Sequence, residues 1–145
     1  MLEALAQANF DRDVARIHPR ATAERGWTIV EARYPILDVV FNHSTAKPLR
    51  LKLICSDWDN LPPSIELLDA SGAYLQTKPP GTDGQFHPGG HPKTGRPFVC
   101  MRGVLEYHTH PQHVSDLWAN YRGQPSMDLG GIVFQLWRVW KRSVG

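Results

Sequence analysis

Apolar positions at the start of the chain recur at intervals of three and four residues, as on one face of a helix. The positions with this spacing are Leu2, Leu5, Ala6, Phe10, Val14 and Ile17. The pair His18-Pro19 should end the helix, because the residue before a proline is displaced from helical backbone geometry. The sequence therefore predicts an N-terminal helix.

The next part of the chain, residues 26–68, shows the period of two that is typical of strands with one buried face. Apolar side chains take every second position in two runs, Leu37, Val39 and Phe41, then Leu49, Leu51, Leu53 and Cys55. A turn-rich connection at 42–48 separates them, and a third apolar run covers 64–68 before a turn at 69–72. We expect an antiparallel meander of three or four strands, with Cys55 as a small buried core residue.

Residues 78–97 contain five prolines and five glycines in twenty positions. A structureless loop of that length is uncommon in a compact domain and is more often functional than not. Helical spacing then returns in two runs, at Val114, Leu117, Trp118 and Tyr121, and at Leu129, Ile132, Val133, Leu136, Trp137 and Trp140. This order of helix, strands, loop and two helices predicts an α+β fold in a single domain over residues 1–145.

Composition restricts the classes of function. The 145 residues are 41% hydrophobic and 21% charged with a net charge of +2, as in an ordinary folded globular protein. We expect no nucleic-acid partner, because the charge is small and no basic run is interleaved with aromatic residues. We also expect no membrane partner, because no apolar run approaches the roughly 20 residues that span a bilayer. Two cysteines without an export signal favour a reducing, cytoplasmic location.

Candidate chemistry lies just after the long loop. Glu106, His108 and His110 stand at a spacing of two, which on an extended backbone places all three on one face. Cys100 precedes them at an even offset. Desolvating a carboxylate beside two imidazoles is costly without compensation, so this set indicates a site. His113 is expected only as a surface or capping group at the start of the following helix.

Several interpretations of these residues remain open. Cys100 could be a nucleophile assisted by an imidazole that Glu106 orients. Alternatively, a tetrahedral zinc ion in a structural or adaptor module could take one sulfur, one oxygen and two nitrogens from Cys100, Glu106, His108 and His110. A cysteine hydrolase using Cys100, His108 and Glu106 is a further alternative, and an exposed strand with scattered polar groups is the purely structural one.

Residues 49–65 carry a resemblance to ubiquitin-conjugating enzymes. This segment reads Leu-Arg-Leu-Lys-Leu-Ile-Cys-Ser-Asp-Trp-Asp-Asn-Leu-Pro-Pro-Ser-Ile. It resembles the part of that family in which a strand leads through a Tyr-Pro-Phe-x-x-Pro-Pro turn into another strand. A His-Pro-Asn motif and then the catalytic cysteine follow in the family. Here two His-Pro pairs precede Cys100, His87-Pro88 and His91-Pro92. They are followed by Gly89 and Lys93 where the family has asparagine.

A closer resemblance is to a bacterial branch named for its Cys-Glu-His-His signature and first described as a predicted metal-binding domain. Cys100, Glu106, His108 and His110 match that signature in order. The resemblance implies a ubiquitin-conjugating-like (UBC-like) fold with a long active-site loop, and an acyl transferase that requires no cofactor. Cys100 would accept the C-terminus of a ubiquitin-like protein from an activating enzyme as a thioester, and would pass it to an amine of a protein target.

The same resemblance implies roles for the other residues. His108 or His110 would act as general base or oxyanion donor, and Glu106 would orient the imidazole or attract the incoming lysine. The loop would form one wall of the groove for the tail of the ubiquitin-like protein, and the first helix would dock the activating enzyme. The systems with which such bacterial proteins are associated suggest a role in antiviral defence.

Overall fold

The first half of the chain forms two helices and an antiparallel sheet. The structure, a computed structural model, describes residues 1–81 and 84–145, so positions 82 and 83 of the predicted loop lie outside the described residues. The helices are α1 (Glu3–Ala15) and α2 (Pro19–Arg25), and the strands are β1 (Trp27–Arg33), β2 (Ile36–Phe41), β3 (Leu49–Ile54) and β4 (Ser64–Leu68). The sheet order β1-β2-β3-β4 confirms the predicted meander and the α+β class.

Helix α2 was not predicted, although the sequence that ends α1 also begins it. Pro19 takes the first turn of α2, where its missing N–H costs nothing. The Nδ1 atom of His18 accepts a hydrogen bond from the backbone N–H of Arg20 at 3.1 Å. The pair His18-Pro19 therefore separates two helices.

The second half of the chain builds a small hairpin and a long C-terminal helix. The hairpin strands β5 (Phe86–His87) and β6 (Phe98–Val99) pair antiparallel, so the predicted loop 78–97 is wrong where it includes β5. A short helix α3 (Leu105–His108) and two 3-10 turns, Trp118–Asn120 and Pro125–Met127, lead to α4 (Leu129–Val144). Helix α4 confirms the last predicted helix. In the part of the chain that the structure describes, no helix has the length and apolarity needed to cross a membrane.

The sheet and α4 bury one continuous apolar core. Leu51 and Leu53 of β3 are fully buried opposite Val39 and Leu37 of β2, as their alternation predicted. Cys55 is 2% exposed and continues this buried row, which confirms its interpretation as a core residue. The buried face of α4 joins the same cluster through Ile132, Leu136 and Trp140. Burying each large apolar side chain contributes about 1.5 to 3 kcal/mol, so these positions dominate the stability of the fold.

One buried carboxylate connects α1, the β3–β4 connection and α4. Asp13 is 1% exposed. Its Oδ2 atom accepts hydrogen bonds from Trp58 Nε1 at 2.9 Å and from the backbone N–H of Leu129 at 3.3 Å. Arg12 donates to its other oxygen at 3.0 Å. A buried charge is tolerated only when it is compensated in this way, so Asp13 fixes the first turn of α4 against α1.

The predicted helix over 114–121 is wrong. This segment forms turns, with one 3-10 turn at Trp118–Asn120. Val114 and Leu117 are each 55% exposed, whereas Trp118 is 6% exposed and donates from Nε1 to the Asp59 carbonyl at 2.8 Å. The apolar residues of this segment have helical spacing, but they do not share one buried face, so the spacing gave a false prediction of a helix.

Replacing Asp13 with alanine should lower the free energy of unfolding by about 3 kcal/mol, because the indole N–H of Trp58 and the N–H of Leu129 would lose their buried acceptor. Urea unfolding followed by tryptophan fluorescence measures this change. Asp11→Ala on the exposed side of the same helix is the matched control and should change stability little. Equal effects of the two substitutions would contradict the assignment.

Candidate active site

Cys100 lies directly after β6, where the hairpin meets the turn that leads to α3. Its backbone N–H donates to the Gln85 carbonyl at 2.7 Å, which holds this position to the other arm of the hairpin. The thiol is free and partly exposed, and its partial burial raises its pKa. Because the thiolate is the nucleophilic form, a raised pKa makes a nearby proton acceptor important for reactivity.

The imidazole that lies beside this thiol belongs to His113. Its Nε2 atom is 3.7 Å from Cys100 Sγ, within hydrogen-bonding range for sulfur. The ring stacks on Tyr107 with a centroid separation of 4.2 Å and an interplanar angle of 16°. The prediction of His113 as a surface or capping group is therefore wrong. No spacing rule links positions 100 and 113, and only the turn after His110 brings the ring back to the sulfur.

Glu106 bonds to the sheet instead of to an imidazole. Its Oε1 accepts from the backbone N–H of Ile65 at 2.7 Å, and its Oε2 accepts from the Ser64 hydroxyl at 2.8 Å. Burial raises the pKa of this carboxyl, and the two hydrogen bonds oppose that shift. Glu106 therefore ties α3 to the start of β4.

His108 connects the turn that follows Cys100 to a distant backbone segment. Its Nε2 accepts from the Gly103 N–H at 3.0 Å, and its Nδ1 lies 2.7 Å from the Asp116 carbonyl oxygen. An N–H only donates and a carbonyl only accepts, so the ring is neutral with its proton on Nδ1. Burial, the largest cause, lowers the pKa of His108. Both nitrogens are occupied, so the predicted general-base role has no free nitrogen in this arrangement.

His110 belongs to an aromatic cluster beside the thiol. Its ring stacks on Phe98 at 5.8 Å and lies 5.7 Å from the His113 ring, and its Nδ1 accepts from the Gln112 N–H at 3.2 Å. His91 packs edge-on against the same phenylalanine at 4.9 Å and contacts the Glu106 carbonyl through Nε2 at 3.1 Å. The histidine of the His91-Pro92 pair thus anchors the long loop to α3.

The predicted common face of Glu106, His108 and His110 is wrong, because the backbone is not extended. Residues 105–108 are helical, and residues two apart on a helix do not face the same way. Gly103, between Cys100 and this helix, has a φ of +94° and turns the chain. Among the residues that the structure describes, no three His, Cys, Asp or Glu side chains are arranged to hold a metal ion. The zinc interpretation would require the hydrogen bonds of Glu106 and His108 to break.

Asp116 is a site residue that the sequence reasoning missed. Its carboxylate accepts from Tyr107 Oη at 2.5 Å, Tyr121 Oη at 2.6 Å and Arg102 Nε at 2.9 Å. These hydrogen bonds, that of Tyr107 first, hold the pKa of Asp116 well below its usual range. Tyr107 is therefore fixed by its hydroxyl while its ring supports His113. An aspartate between two turns carries no local motif, so its role is visible only in three dimensions.

Comparison with known proteins places this site in a region of recognisable similarity. A family model described as "Y4jH-like: Y4jH family" matches residues 90–145, under half of the chain but including Cys100, His113 and Asp116. The "Uncharacterized protein y4jH" of Sinorhizobium fredii (strain NBRC 101917 / NGR234) is 24% identical, over 97% of this chain and 83% of that protein. Neither description specifies an activity, so we infer the function from the geometry of the site.

The lowered pKa of His108 predicts a pH-dependent stability. Its unperturbed pKa is 6.5, and the folded value lies below this, so at intermediate pH the unfolded chain binds the additional proton. The contribution of His108 is complete above pH 6.5 and is lost as the pH falls through the folded pKa. Urea unfolding between pH 5 and 8 should show this loss, and His108→Gln should make the decline less steep.

Some decline should persist in that variant, because burial also lowers the pKa of His91. Identical slopes for the wild type and His108→Gln would contradict the hydrogen-bonded neutral state of His108.

Proposed function

We propose that this protein is an acyl transferase of the ubiquitin-conjugating type. Cys100 accepts the C-terminal carboxyl group of a ubiquitin-like protein as a thioester and passes it to an amine of a target protein. The observation that carries this proposal is a partly exposed thiol with an imidazole nitrogen 3.7 Å from its sulfur, in His113. This pair lies at the end of a loop and hairpin that follow a four-stranded meander.

The position of the thiol suits a macromolecular acyl donor. Cys100 ends the hairpin at the surface, and His91 fastens the adjoining loop to α3. A flexible protein tail can lie along such a loop and present its terminal carbonyl carbon to the sulfur. The activating enzyme supplies that tail already activated, so the site itself needs only a nucleophile, a proton acceptor and room for an incoming amine.

The order of elements supports the same class of protein. An N-terminal helix, a meander, a loop that carries a small hairpin, a cysteine and a long C-terminal helix follow one another in the order of the UBC-like fold that residues 49–65 resemble. This chain departs from the ubiquitin-conjugating family in the residues close to the cysteine. Neither His-Pro pair is followed by asparagine, and the histidine of the second pair, His91, is buried and holds backbone. In this proposal catalytic assistance therefore comes from His113, whose Nε2 is 3.7 Å from the sulfur.

The proposed cytoplasmic location agrees with the state of the cysteines. Cys55 and Cys100 are both free thiols, and a reducing compartment maintains that state. An acyl carrier of this kind depends on it, because an oxidised sulfur cannot form a thioester. The proposed partners are thus a ubiquitin-like protein, its activating enzyme and a protein target.

Incubation with a candidate activating enzyme, the ubiquitin-like protein and ATP should give a covalent adduct of one added protein mass, measured by denaturing intact mass spectrometry. Thiol reductant should release it. Cys100→Ala should abolish the adduct, and Cys100→Ser should form a reductant-resistant oxyester more slowly, because a hydroxyl is the weaker nucleophile.

Cys55→Ala is the matched control and should retain the adduct, since Cys55 is 2% exposed in the core. An adduct of the same yield on Cys100→Ala would refute the proposal. So would the absence of any adduct on the wild type when the activating enzyme itself is charged.

A further inference from the structure

We propose that His113 is the residue that takes the proton of the Cys100 thiol, and that Asp116 is a positioning residue that acts on His113 through the ring of Tyr107. The acyl donor and acceptor in this scheme rest on the proposed function. The proton transfer itself belongs to the thiol–imidazole pair and can be tested without either partner protein. Nothing in the Cys-Glu-His-His signature includes His113, Tyr107 or Asp116.

His113 is the imidazole whose geometry suits the task. Its Nε2 is 3.7 Å from Sγ, whereas both nitrogens of His108 hold backbone groups and Nδ1 of His110 accepts from Gln112. A neutral imidazole in contact with a thiol can accept its proton and then stabilise the resulting thiolate as a neighbouring cation. His113 thereby offsets the burial that disfavours ionisation of Cys100.

Tyr107 gives the imidazole a fixed and favourable support. The tyrosine is 9% exposed, and its ring lies nearly parallel to that of His113 at 4.2 Å. An aromatic face within about 6 Å of a cation stabilises it, so the protonated form of His113 gains from this stacking. The hydrogen bond that the phenol hydroxyl donates to a carboxylate increases the electron density of the ring, which strengthens this attraction between the ring and a cation.

Asp116 fixes the tyrosine from the opposite end. Its Oδ2 accepts from Tyr107 Oη and from Arg102 Nε, while Oδ1 accepts from Tyr121 Oη, so the carboxylate has little freedom to rotate. The backbone N–H of Asp116 also donates to the His113 carbonyl at 2.9 Å. One turn therefore carries both the imidazole and the carboxylate that secures its support.

The groups around His113 have opposing effects on its protonated form. Tyr107 and the Cys100 thiolate favour the imidazolium, and so does the carboxylate of Asp116, which accepts from the Tyr107 hydroxyl. His110, whose ring lies 5.7 Å away, and His108 disfavour it when they are protonated. Arg102 pairs with Asp116 at 2.9 Å and offsets part of the attraction of that carboxylate.

The acyl transfer balances with these groups alone. As Sγ attacks the carbonyl carbon of the thioester on the activating enzyme, the Cys100 proton moves to His113 Nε2. The new C–Sγ bond forms, the bond to the donor sulfur breaks, and the proton passes to the departing thiolate. In the second step the amine nitrogen bonds to the same carbon, the C–Sγ bond breaks, and an amine proton returns through His113 to Sγ.

Alkylation of Cys100 by iodoacetamide across a pH series tests the pair directly, with peptide mass spectrometry to separate it from the buried Cys55. We expect His113→Gln to lower the rate near pH 7 about tenfold and to move the profile about one pH unit upward, the effect of losing one pKa unit of thiolate stabilisation. Asp116→Asn and Tyr107→Phe should move it the same way by less.

Two further variants serve as controls. Tyr121→Phe removes a hydroxyl that bonds to the same carboxylate but does not belong to the ring stacked on His113, so it should shift the profile less than Tyr107→Phe does. His43→Gln, in the β2–β3 connection, should leave the profile unchanged. Far-UV circular dichroism and urea unfolding identify any variant whose profile changes because its fold does.

Each outcome decides a separate part of the proposal. A profile for His113→Gln that coincides with the wild type overturns the proton transfer. A shift in that variant without one in Asp116→Asn or Tyr107→Phe overturns the positioning role. If the variants shift the alkylation profile as expected but the wild type forms no thioester, the proposed function is rejected and the proton transfer from Cys100 to His113 stands. If His113→Gln forms the thioester at the wild-type rate, that proton transfer is rejected and the proposed function stands.

Discussion

The two hydrogen bonds of His108 are the constraint on which the arrangement of the site depends. One holds the Gly103 N–H in the turn after Cys100, and the other holds the Asp116 carbonyl oxygen beyond the next reversal of the chain. The segment between these two points contains His113 and Tyr107. By closing this loop of backbone, the neutral imidazole of His108 keeps Cys100, His113 and Tyr107 close together.

Histidines in this protein thus divide by the partners of their nitrogens. His91 and His108 satisfy backbone groups, and burial lowers the pKa of each, which keeps them neutral. His113 contacts a sulfur and an aromatic face, where a charge can be accommodated. Glu106 shows the same division among the acids, since its two oxygens secure β4 while those of Asp116 secure a tyrosine. Residues of the same type therefore differ in this protein by their contacts, some with backbone groups and others with a thiol or an aromatic side chain.

The sequence could predict those parts of the fold that local periodicity determines. The alternation at Leu49, Leu51 and Leu53 and the helical spacing of α4 each reflect a single buried face, and both predictions were confirmed. The segment after Cys100 escaped this reasoning. The spacing of two over residues 106–110 predicted a strand, whereas residues 105–108 form a turn of helix. That turn is tied to the sheet by the hydrogen bonds of Glu106 to Ser64 and Ile65, which lie on a distant strand.

The candidate site was predicted in part for a related reason. Cys100 was identified from its sequence context, but its imidazole partner was assigned to the conspicuous His-x-His pair. Contacts between positions 100 and 113 arise from two successive chain reversals, which no periodicity records. The apolar spacing at Val114 and Leu117 added a false helix at the very place where the chain turns.

Gly103 sets the limits within which this site can diverge during evolution. A side chain there would meet two independent obstacles, a φ of +94° and the Met127 sulfur 2.8 Å from the new Cβ. Shortening Met127 would remove the collision and leave the backbone strain untouched. No single compensating substitution can therefore make a side chain acceptable at position 103. Related proteins are expected to vary the residues around the site and to keep this glycine.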